Sequence, residues 1–410
     1  MERVADPANL NAAWKRVREN GGAPGIDGIT IRAFMEHAKS RSETLRRELL
    51  EGSYRPSPLR RVTIPKPTGG ERLLGIPTVQ DRVVQQAFLQ TLQPILDPSF
   101  SEHSYGFRPN RNAHQAVAAA QAYIQQGYDW VVDFDLEAFF DRVNHDRLMS
   151  RLGQRIADKR ACWIIRRFLQ AGVIENSELR ATTEDTPQGG PLSPLLANLV
   201  LDELDKEMER RGLRFVRYAD DCNVYLRSER AAANAFENLT AFIEGKLKLK
   251  VNRSKSAVGR PWERKLLGFS FVWGKSAKRR IAPKALAKAK ARIRDLTKKG
   301  RFNFETVMDK LNRYLTGWLG YFRFCQTPRV LNELEEWTRR RLRCLIWKHW
   351  KRGTTRFAEL VKRGADRVEA AKLAGSSHGP WRSSRTPLMH VVFPKAWFSS
   401  HGLPPFHASP

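Results

Sequence analysis

Acidic residues occupy two stretches of this chain that otherwise read as β-strands, and that conflict constrains the fold more than any other feature. Trp130-Val-Val-Asp-Phe-Asp135 has strand composition yet carries Asp133 and Asp135. Leu213 to Leu226 is apolar and β-rich on both sides of Ala219-Asp220-Asp221, which reads as a hairpin with acids at its tip. Like charges brought together repel, and one of them is driven toward protonation. A cation removes the conflict. Mg²⁺ favours carboxylate oxygens together with water and phosphate. Two such ions about 3.5–4 Å apart can activate an attacking hydroxyl and stabilise a leaving phosphate group. For Asp-Asp alone, the plainer reading is an acidic turn that faces water.

The rest of the chain reads as a mixed α and β body followed by helices. Met1 to Asn20 is helical and stops at Gly21-Gly22, and a second helical pattern runs from Ile31 to Leu50. Arg60 to Ile64 and Glu71 to Ile76 form a hairpin about Pro65-Lys-Pro-Thr-Gly-Gly70. Helices are expected at 79–93, 112–126, 144–152, 160–171, 194–211 and 230–248, with a strand pair at 249–258 and 265–273. Beyond Arg280 the pattern turns helical at 284–299, 304–323 and 328–351. From Gly353 the periodicity weakens among Gly, Ser and Pro.

Charge divides the chain in the same place. Residues 1–250 hold 36 Lys+Arg against 33 Asp+Glu, whereas residues 251–410 hold 36 against 10, so nearly all of the net +29 lies in the second part. Aromatics interleave with these bases, as in Trp347-Lys-His-Trp-Lys-Arg352, which describes a folded basic face that suits a polyanion. The 11 Trp exclude a disordered polyelectrolyte. Four scattered cysteines with no Cys-x-x-Cys argue against a disulfide framework or a zinc knuckle. No stretch is long and apolar enough for a membrane span, and the polar N-terminus lacks a signal-peptide core. A soluble, intracellular protein is expected.

Arg217-Tyr-Ala-Asp-Asp221, about 85 residues after Asp135-Leu-Glu-Ala-Phe-Phe-Asp141, resembles the palm of reverse transcriptases. Further segments match in order: Gly22-Ala-Pro-Gly-Ile-Asp-Gly28, Ile64-Pro-Lys-Pro67, Leu74-Gly-Ile-Pro-Thr78, Ser104-Tyr-Gly-Phe-Arg-Pro109, Thr186-Pro-Gln-Gly-Gly-Pro191, Leu267-Gly-Phe-Ser-Phe271 and Gly317-Trp-Leu-Gly-Tyr-Phe322. The series is similar to bacterial group II intron reverse transcriptase/maturases over nearly the whole chain. The resemblance implies an α+β right-hand polymerase. Its fingers run over 1–130 and its palm, with an antiparallel sheet, over 131–278. An α-helical thumb or maturase domain follows over 279–352, and a small DNA-binding region over 353–410. Removing that last region is expected to spare simple primer extension. Paired Cys motifs are lacking, so the His-Asn-His endonuclease of some relatives is expected to be missing.

The resemblance also assigns roles. Asp135, Asp220 and Asp221 become the ligands of two Mg²⁺ ions, with Mn²⁺ as a substitute. Lys66, Arg72, Gln188 and Lys255 fall at nucleotide-binding positions, Lys255 as a proton donor to pyrophosphate. Phe140, with Phe139 as the alternative, becomes the steric gate against a ribose 2′-hydroxyl. Arg108, Tyr218, Leu267, Gly268 and Phe269 fall at template or primer positions. The implied partners are intron RNA in a ribonucleoprotein, an RNA template with a DNA or RNA primer, target DNA and dNTPs, with no membrane and with a homodimer left open. The implied location is the bacterial cytoplasm, acting at the nucleoid. Three rivals stand beside this reading: a splicing cofactor that only binds RNA, a relative recruited to host DNA repair or phage defence, and an RNA-dependent RNA polymerase.

Overall fold

A computed structural model describes every residue except 37, 66–70, 138, 176–177, 181–188, 275, 299–302 and 408–410. The chain forms two compact units, Met1–Arg260 and Pro261–Pro410. Its strands are β1 (Leu59–Pro65), β2 (Glu71–Ile76), β3 (Trp130–Phe134), β4 (Val173–Glu175), β5 (Glu178–Arg180), β6 (Arg214–Tyr218), β7 (Asp221–Leu226), β8 (Ala257–Gly259), β9 (Phe269–Phe271) and β10 (Arg279–Ile281).

The first unit contains two sheets, ordered β2-β1-β4-β5 and β6-β7-β3-β8. In the second of these, β3 lies between β7 and β8 and runs antiparallel to both, so the acid-bearing strand is central. A central strand must bury at least one face, and the helices Ser193–Arg210 and Glu229–Gly245 supply the cover. Helix Pro7–Asn20 packs on helix Val79–Leu96 through Asn9, whose amide donates to the Ala87 carbonyl at 3.2 Å and whose side-chain oxygen accepts from Gln90 at 2.8 Å. The glycine-rich loop that follows is fixed by Arg82, which donates to the carbonyls of Gly21 and Ala23 at 3.1 and 2.8 Å.

The expected helices and both hairpins of the first unit are present, with one difference at its end. Residues 249–258 and 265–273 do not pair with each other. Ala257–Gly259 joins β3, whereas Phe269–Phe271 pairs with Arg279–Ile281 in the second unit. The β9–β10 hairpin goes there because Phe269, fully buried, packs against Tyr321, Phe322 and Phe324 with centroids 5.3–6.1 Å apart.

In the second unit, helices Pro283–Leu296, Phe304–Phe322 and Pro328–His349 are followed by Gly353–Lys362, Arg367–Ala374 and three shorter turns. Residues after 353 pack on the helix before them. Phe393, Phe398 and Phe406 have no exposed surface, and the Phe393 ring lies 5.8 Å from Trp350. Arg343, 3% exposed, spends Nε and Nη2 on the Phe393 carbonyl at 3.2 and 3.0 Å. These contacts tie residues after 353 to the helix before them.

A chain ending at Arg352 is therefore expected to lose its second unit's cooperative transition in scanning calorimetry. Three buried phenylalanines account for about 1.5–3 kcal/mol each, against a whole-domain stability of about 5–15 kcal/mol. An unchanged melting temperature for the truncated chain would show the tail to be separable.

Candidate active site

The β6-β7-β3-β8 sheet has two unlike faces. Tyr218 stands opposite Asp221, and Asp133 opposite Asn223. Residues facing one another in an antiparallel pair project to the same side. Arg217, Cys222 and Phe134 project to the other side, where Cys222 Sγ lies 4.0 Å from Met208 Sδ and Phe134 stacks on Phe236 with centroids 5.4 Å apart. The helices cover that second side. The acids are left on the first.

Asp135 directly follows β3. Its N–H donates to Ser256 Oγ at 2.9 Å and its carbonyl accepts from the Asn252 N–H at 2.8 Å, so its backbone is fixed by the segment leading into β8. Its carboxylate, 40% exposed, lies 3.7 Å from Lys255 Nζ. Asp220 and Asp221 are exposed at the hairpin tip.

The tip is held from beneath. Arg217 is completely buried, and its guanidinium meets Asp205 of helix Ser193–Arg210 in two parallel bonds, Nε to Oδ1 at 2.7 Å and Nη2 to Oδ2 at 2.5 Å. The remaining nitrogen, Nη1, donates to Asn198 Oδ1 at 3.0 Å and to the Ala219 carbonyl at 2.9 Å. Burial opposes charge on this guanidinium, but Asp205 outweighs it and the pKa is raised. Ala219 has φ +57°, a left-handed conformation that costs a non-glycine residue roughly 1–2 kcal/mol. Arg217 thus grips the carbonyl of the strained residue immediately before Asp220-Asp221. Its spacing within the signature made it look like a flank of the motif. The signal available in the sequence was an acid, Asp205, twelve positions upstream on an amphipathic helix, and only the fold shows it to be the partner.

The Ser104 to Pro109 segment packs along β6. Ser104 bridges Arg217 in parallel, and the Tyr105 N–H donates to the Arg217 carbonyl at 2.8 Å. A Cβ on Gly106 would fall 2.4 Å from the Ala219 nitrogen, so glycine is required there, and Asn198 donates to the Gly106 carbonyl at 2.9 Å. Arg108, expected at template or nucleotide, is corrected by this geometry. All five of its N–H donors are taken within the protein. Nε binds Asp97 Oδ1 at 2.8 Å, Nη2 binds Asp97 O and Oδ2 at 3.0 and 3.3 Å, and Nη1 serves the carbonyls of Ser101 and Ser104.

The other expected positions divide as follows. Lys66 and Gln188 lie outside the described residues, and the side chains of Arg72 and Phe140 are not among those described. Phe139 is 3% exposed and belongs to the core, which removes it as the alternative gate. The two glycines after Gln188 approach protein rather than leaving open space. A Cβ on Gly189 would meet the Gly75 carbonyl at 2.4 Å, and one on Gly190 would meet Gln85 Oε1 at 2.1 Å. In the second unit, Leu267 and Gly268 form a left-handed turn with φ +51° and +83°. Their carbonyls accept from Tyr321 Oη at 2.7 Å and the Ala282 N–H at 2.9 Å. The Phe269 ring is enclosed by Tyr321, Phe322 and Phe324.

The carboxylate oxygens of Asp135, Asp220 and Asp221 are the donor type that suits a hard divalent cation, and Lys255 already supplies positive charge at Asp135. The donors therefore fit such an ion chemically. Among the described residues, no three His, Cys, Asp or Glu stand together as a ready-made metal cluster. No helix among them is long and apolar enough to cross a membrane.

Comparison with known proteins gives two family matches: reverse transcriptase (RNA-dependent DNA polymerase) over residues 64–271, and the group II intron maturase-specific domain over residues 286–364. Protein YkfC of Escherichia coli K12 is 34% identical over 298 residues, covering 63% of this chain and 78% of its own length. The group II intron-encoded protein LtrA of Lactococcus lactis is 36% identical over 208 residues, covering 50% of this chain and 34% of its own length, so the match takes in about a third of that relative. Among solved structures, a partial Cas6-RT-Cas1–Cas2 complex matches at 25% identity with a TM-score of 0.38, over 59% of this chain and 42% of the other.

Replacing Arg217 with Met is expected to lower the unfolding free energy by about 3–5 kcal/mol, the cost of leaving Asp205 charged and buried without a partner. Removing both charges, as Arg217→Met with Asp205→Leu, is expected to recover most of that loss in a denaturant-based double-mutant cycle. A single-variant loss below about 1 kcal/mol would show that the pair does not hold the hairpin.

Proposed function

The chain belongs to the reverse transcriptases, the RNA-dependent DNA polymerases, with the maturase-specific domain of group II introns behind, and we propose that it extends a primer 3′ end at the β6–β7 hairpin tip. The observation that carries this reading is the set of carboxylates at the ends of adjacent strands, with Asp221 exposed at the hairpin tip on the sheet face opposite helices Ser193–Arg210 and Glu229–Gly245. The family uses divalent metal ions and acts on nucleic acid. In our reading Asp135, Asp220 and Asp221 hold two Mg²⁺ ions, or Mn²⁺ in their place. Bound there, the metal would activate the 3′ hydroxyl and stabilise the leaving pyrophosphate.

The chain's own residues do the rest. Lys255 neutralises Asp135 at 3.7 Å, and in the reaction its ammonium is the proton donor to pyrophosphate. Lys66, next after β1 in sequence, and Arg72, in β2, would bind the triphosphate, where charge develops as the bond breaks. Gln188 would fix the nascent base pair, and Phe140 would exclude a 2′-hydroxyl. Leu267 and Gly268 would meet the primer strand, their left-handed turn braced by Tyr321.

The maturase-specific domain adds RNA binding in splicing. We assign the RNA as the protein's own intron, held as a ribonucleoprotein, and the DNA as the target of retrohoming. The action is cytoplasmic and at the nucleoid, and a homodimer is compatible with it. We divide the chain into fingers to residue 130, palm to 278, thumb to 352 and a DNA-contacting region beyond. The break between compact units comes earlier, at Arg260 and Pro261.

Extension of oligo(dT) on poly(rA) tests the reading. Full-length protein is expected to incorporate dTTP only with Mg²⁺ or Mn²⁺, and Asp220→Ala to lower the rate by about three orders of magnitude or more, the scale of removing a group that acts only in the transition state. Metal-independent synthesis, or synthesis unaffected by that substitution, would sink it.

A further inference from the structure

With Arg108 consumed inside the protein, Phe107 is the exposed aromatic residue of the Ser104–Pro109 segment. It is 52% exposed and has φ +57°. A single exposed apolar ring is ordinary. A phenylalanine held in the left-handed region is not, and such outliers persist where the surroundings over-determine them. Here the surroundings are identified. Gly106 is wedged against the Ala219 nitrogen, Asn198 holds its carbonyl, and Arg108 anchors the next residue to Asp97 and the Ser101 and Ser104 carbonyls. Phe107 lies between two fixed points and is turned out.

Its ring comes to rest beside Tyr218, with centroids 6.3 Å apart and planes tilted by 43°. Tyr218 is partly exposed and directly opposite Asp221, so its ring and the Asp221 carboxylate leave the same face of the sheet. Neither ring offers a donor to phosphate, and Arg108 has none left to give. What fits the two rings is the flat or apolar part of a nucleotide, a base or a sugar edge, each of which presents a face to an aromatic side chain.

We propose that Phe107 and Tyr218 form an aromatic shelf that holds the terminal nucleotide of the primer, setting its 3′ hydroxyl at Asp221. The proposal rests on the polymerase reading above, since only a reacting 3′ end must be placed there. The network of Asp205, Arg217 and Asn198 fixes both halves of this arrangement. Arg217 holds the aspartate turn through the Ala219 carbonyl, while Asn198 receives Arg217 and holds Gly106. Shelf and carboxylates are therefore built on one support and keep their spacing together.

The test uses full-length protein and an RNA template–DNA primer duplex whose primer carries 2-aminopurine at its 3′ end opposite a template uracil, in a second arm moved to the template base with thymine as its primer partner. With wild-type protein and no nucleotide, stacking is expected to quench the primer-end probe. In Phe107→Ala and Phe107→Gly that quench is expected to vanish while the template-position signal stays as in wild type. The glycine variant also relieves the left-handed strain, so it cannot fail through misfolding of the turn. Steady-state extension by both is expected to show KM for primer–template raised about tenfold with kcat within about threefold, and Phe107→Tyr to restore KM. Unchanged quenching and KM in the variants would overturn the shelf, as would loss of signal at the template position instead. A wild-type protein that fails to extend any primer would overturn the polymerase reading itself, which is a different result.

Discussion

The buried pair of Arg217 and Asp205 is the interaction on which the rest of the first unit's chemistry depends. Removing two charges from water costs several kcal/mol for each ion even after relaxation, and an apolar pair of equal volume is often as stable or more so. Stability alone therefore does not explain the arginine. What a guanidinium adds is a planar fork that binds Asp205 in two parallel bonds and points a further N–H at the Ala219 carbonyl. A methionine in that space would fill it without aiming at anything. The pair converts a helix position, fixed by the core, into the position of a hairpin tip.

From that anchor the two faces of the sheet separate cleanly. The helix-covered side takes Phe134, Cys222, Val224 and Phe215, all nearly without exposure. Burial pushes the Cys222 thiol far above its ordinary pKa, and nearby Asp205 adds to the effect, so a sulfur adjacent to Asp221 in sequence stays protonated on the far side of the strand. The other side takes Asp221, Tyr218 and Asp133, and it is open only at the hairpin tip. Alternation along a strand is what allows a reactive carboxylate and inert core to be neighbours in sequence. It also explains why the acids were tolerable in strands at all: Asp220 and Asp221 are exposed at the hairpin tip and Asp135 lies just beyond β3, whereas further along the same face Val216, Asn223 and Tyr225 are buried, Tyr225 against Tyr123.

That alternation is why the acids were legible in the sequence and much else was not. Carboxylates in β-rich surroundings break a local rule, and a broken local rule is visible without a partner. Arg108 breaks no rule. In sequence it is one cation among many, and only the fold reveals that Asp97 and the carbonyls of Ser101 and Ser104 surround it. The pairing of β9 with β10 rather than with the segment before it was hidden for a related reason. The deciding contact is Phe269 on the Tyr321 to Phe324 cluster, about fifty residues away. The region after Gly353 read as a loose tail because its helices are short, some of four to six residues, too brief for a 3.6-residue period to register. Its burial is carried instead by single aromatics, Phe393, Phe398 and Phe406.

The basic part of the chain is folded by its arginines as much as it is charged by them. In the first unit, arginines meet carboxylates, as in Arg151 with Glu203, Arg160 with Asp158 and Arg217 with Asp205. Residues 251–410 have only 10 acids for 36 bases, so carboxylates cannot serve that purpose throughout. Aromatic faces and backbone carbonyls take their place. Arg279 lies 3.8 Å from the Phe324 centroid and donates to its carbonyl, Arg340 does the same with Trp381 at 3.9 Å, and Arg356 covers Trp347 and donates to the Trp350 carbonyl. A guanidinium is weakly hydrated and planar, so it can lie on a ring at small desolvation cost. The difference matters electrostatically. A carboxylate partner cancels the charge, whereas a ring or a carbonyl orders the side chain and leaves its charge in the field. The second unit can therefore fix many of its cations in place and still present a large excess of positive charge to a polyanion, with an attraction that fades as salt is raised.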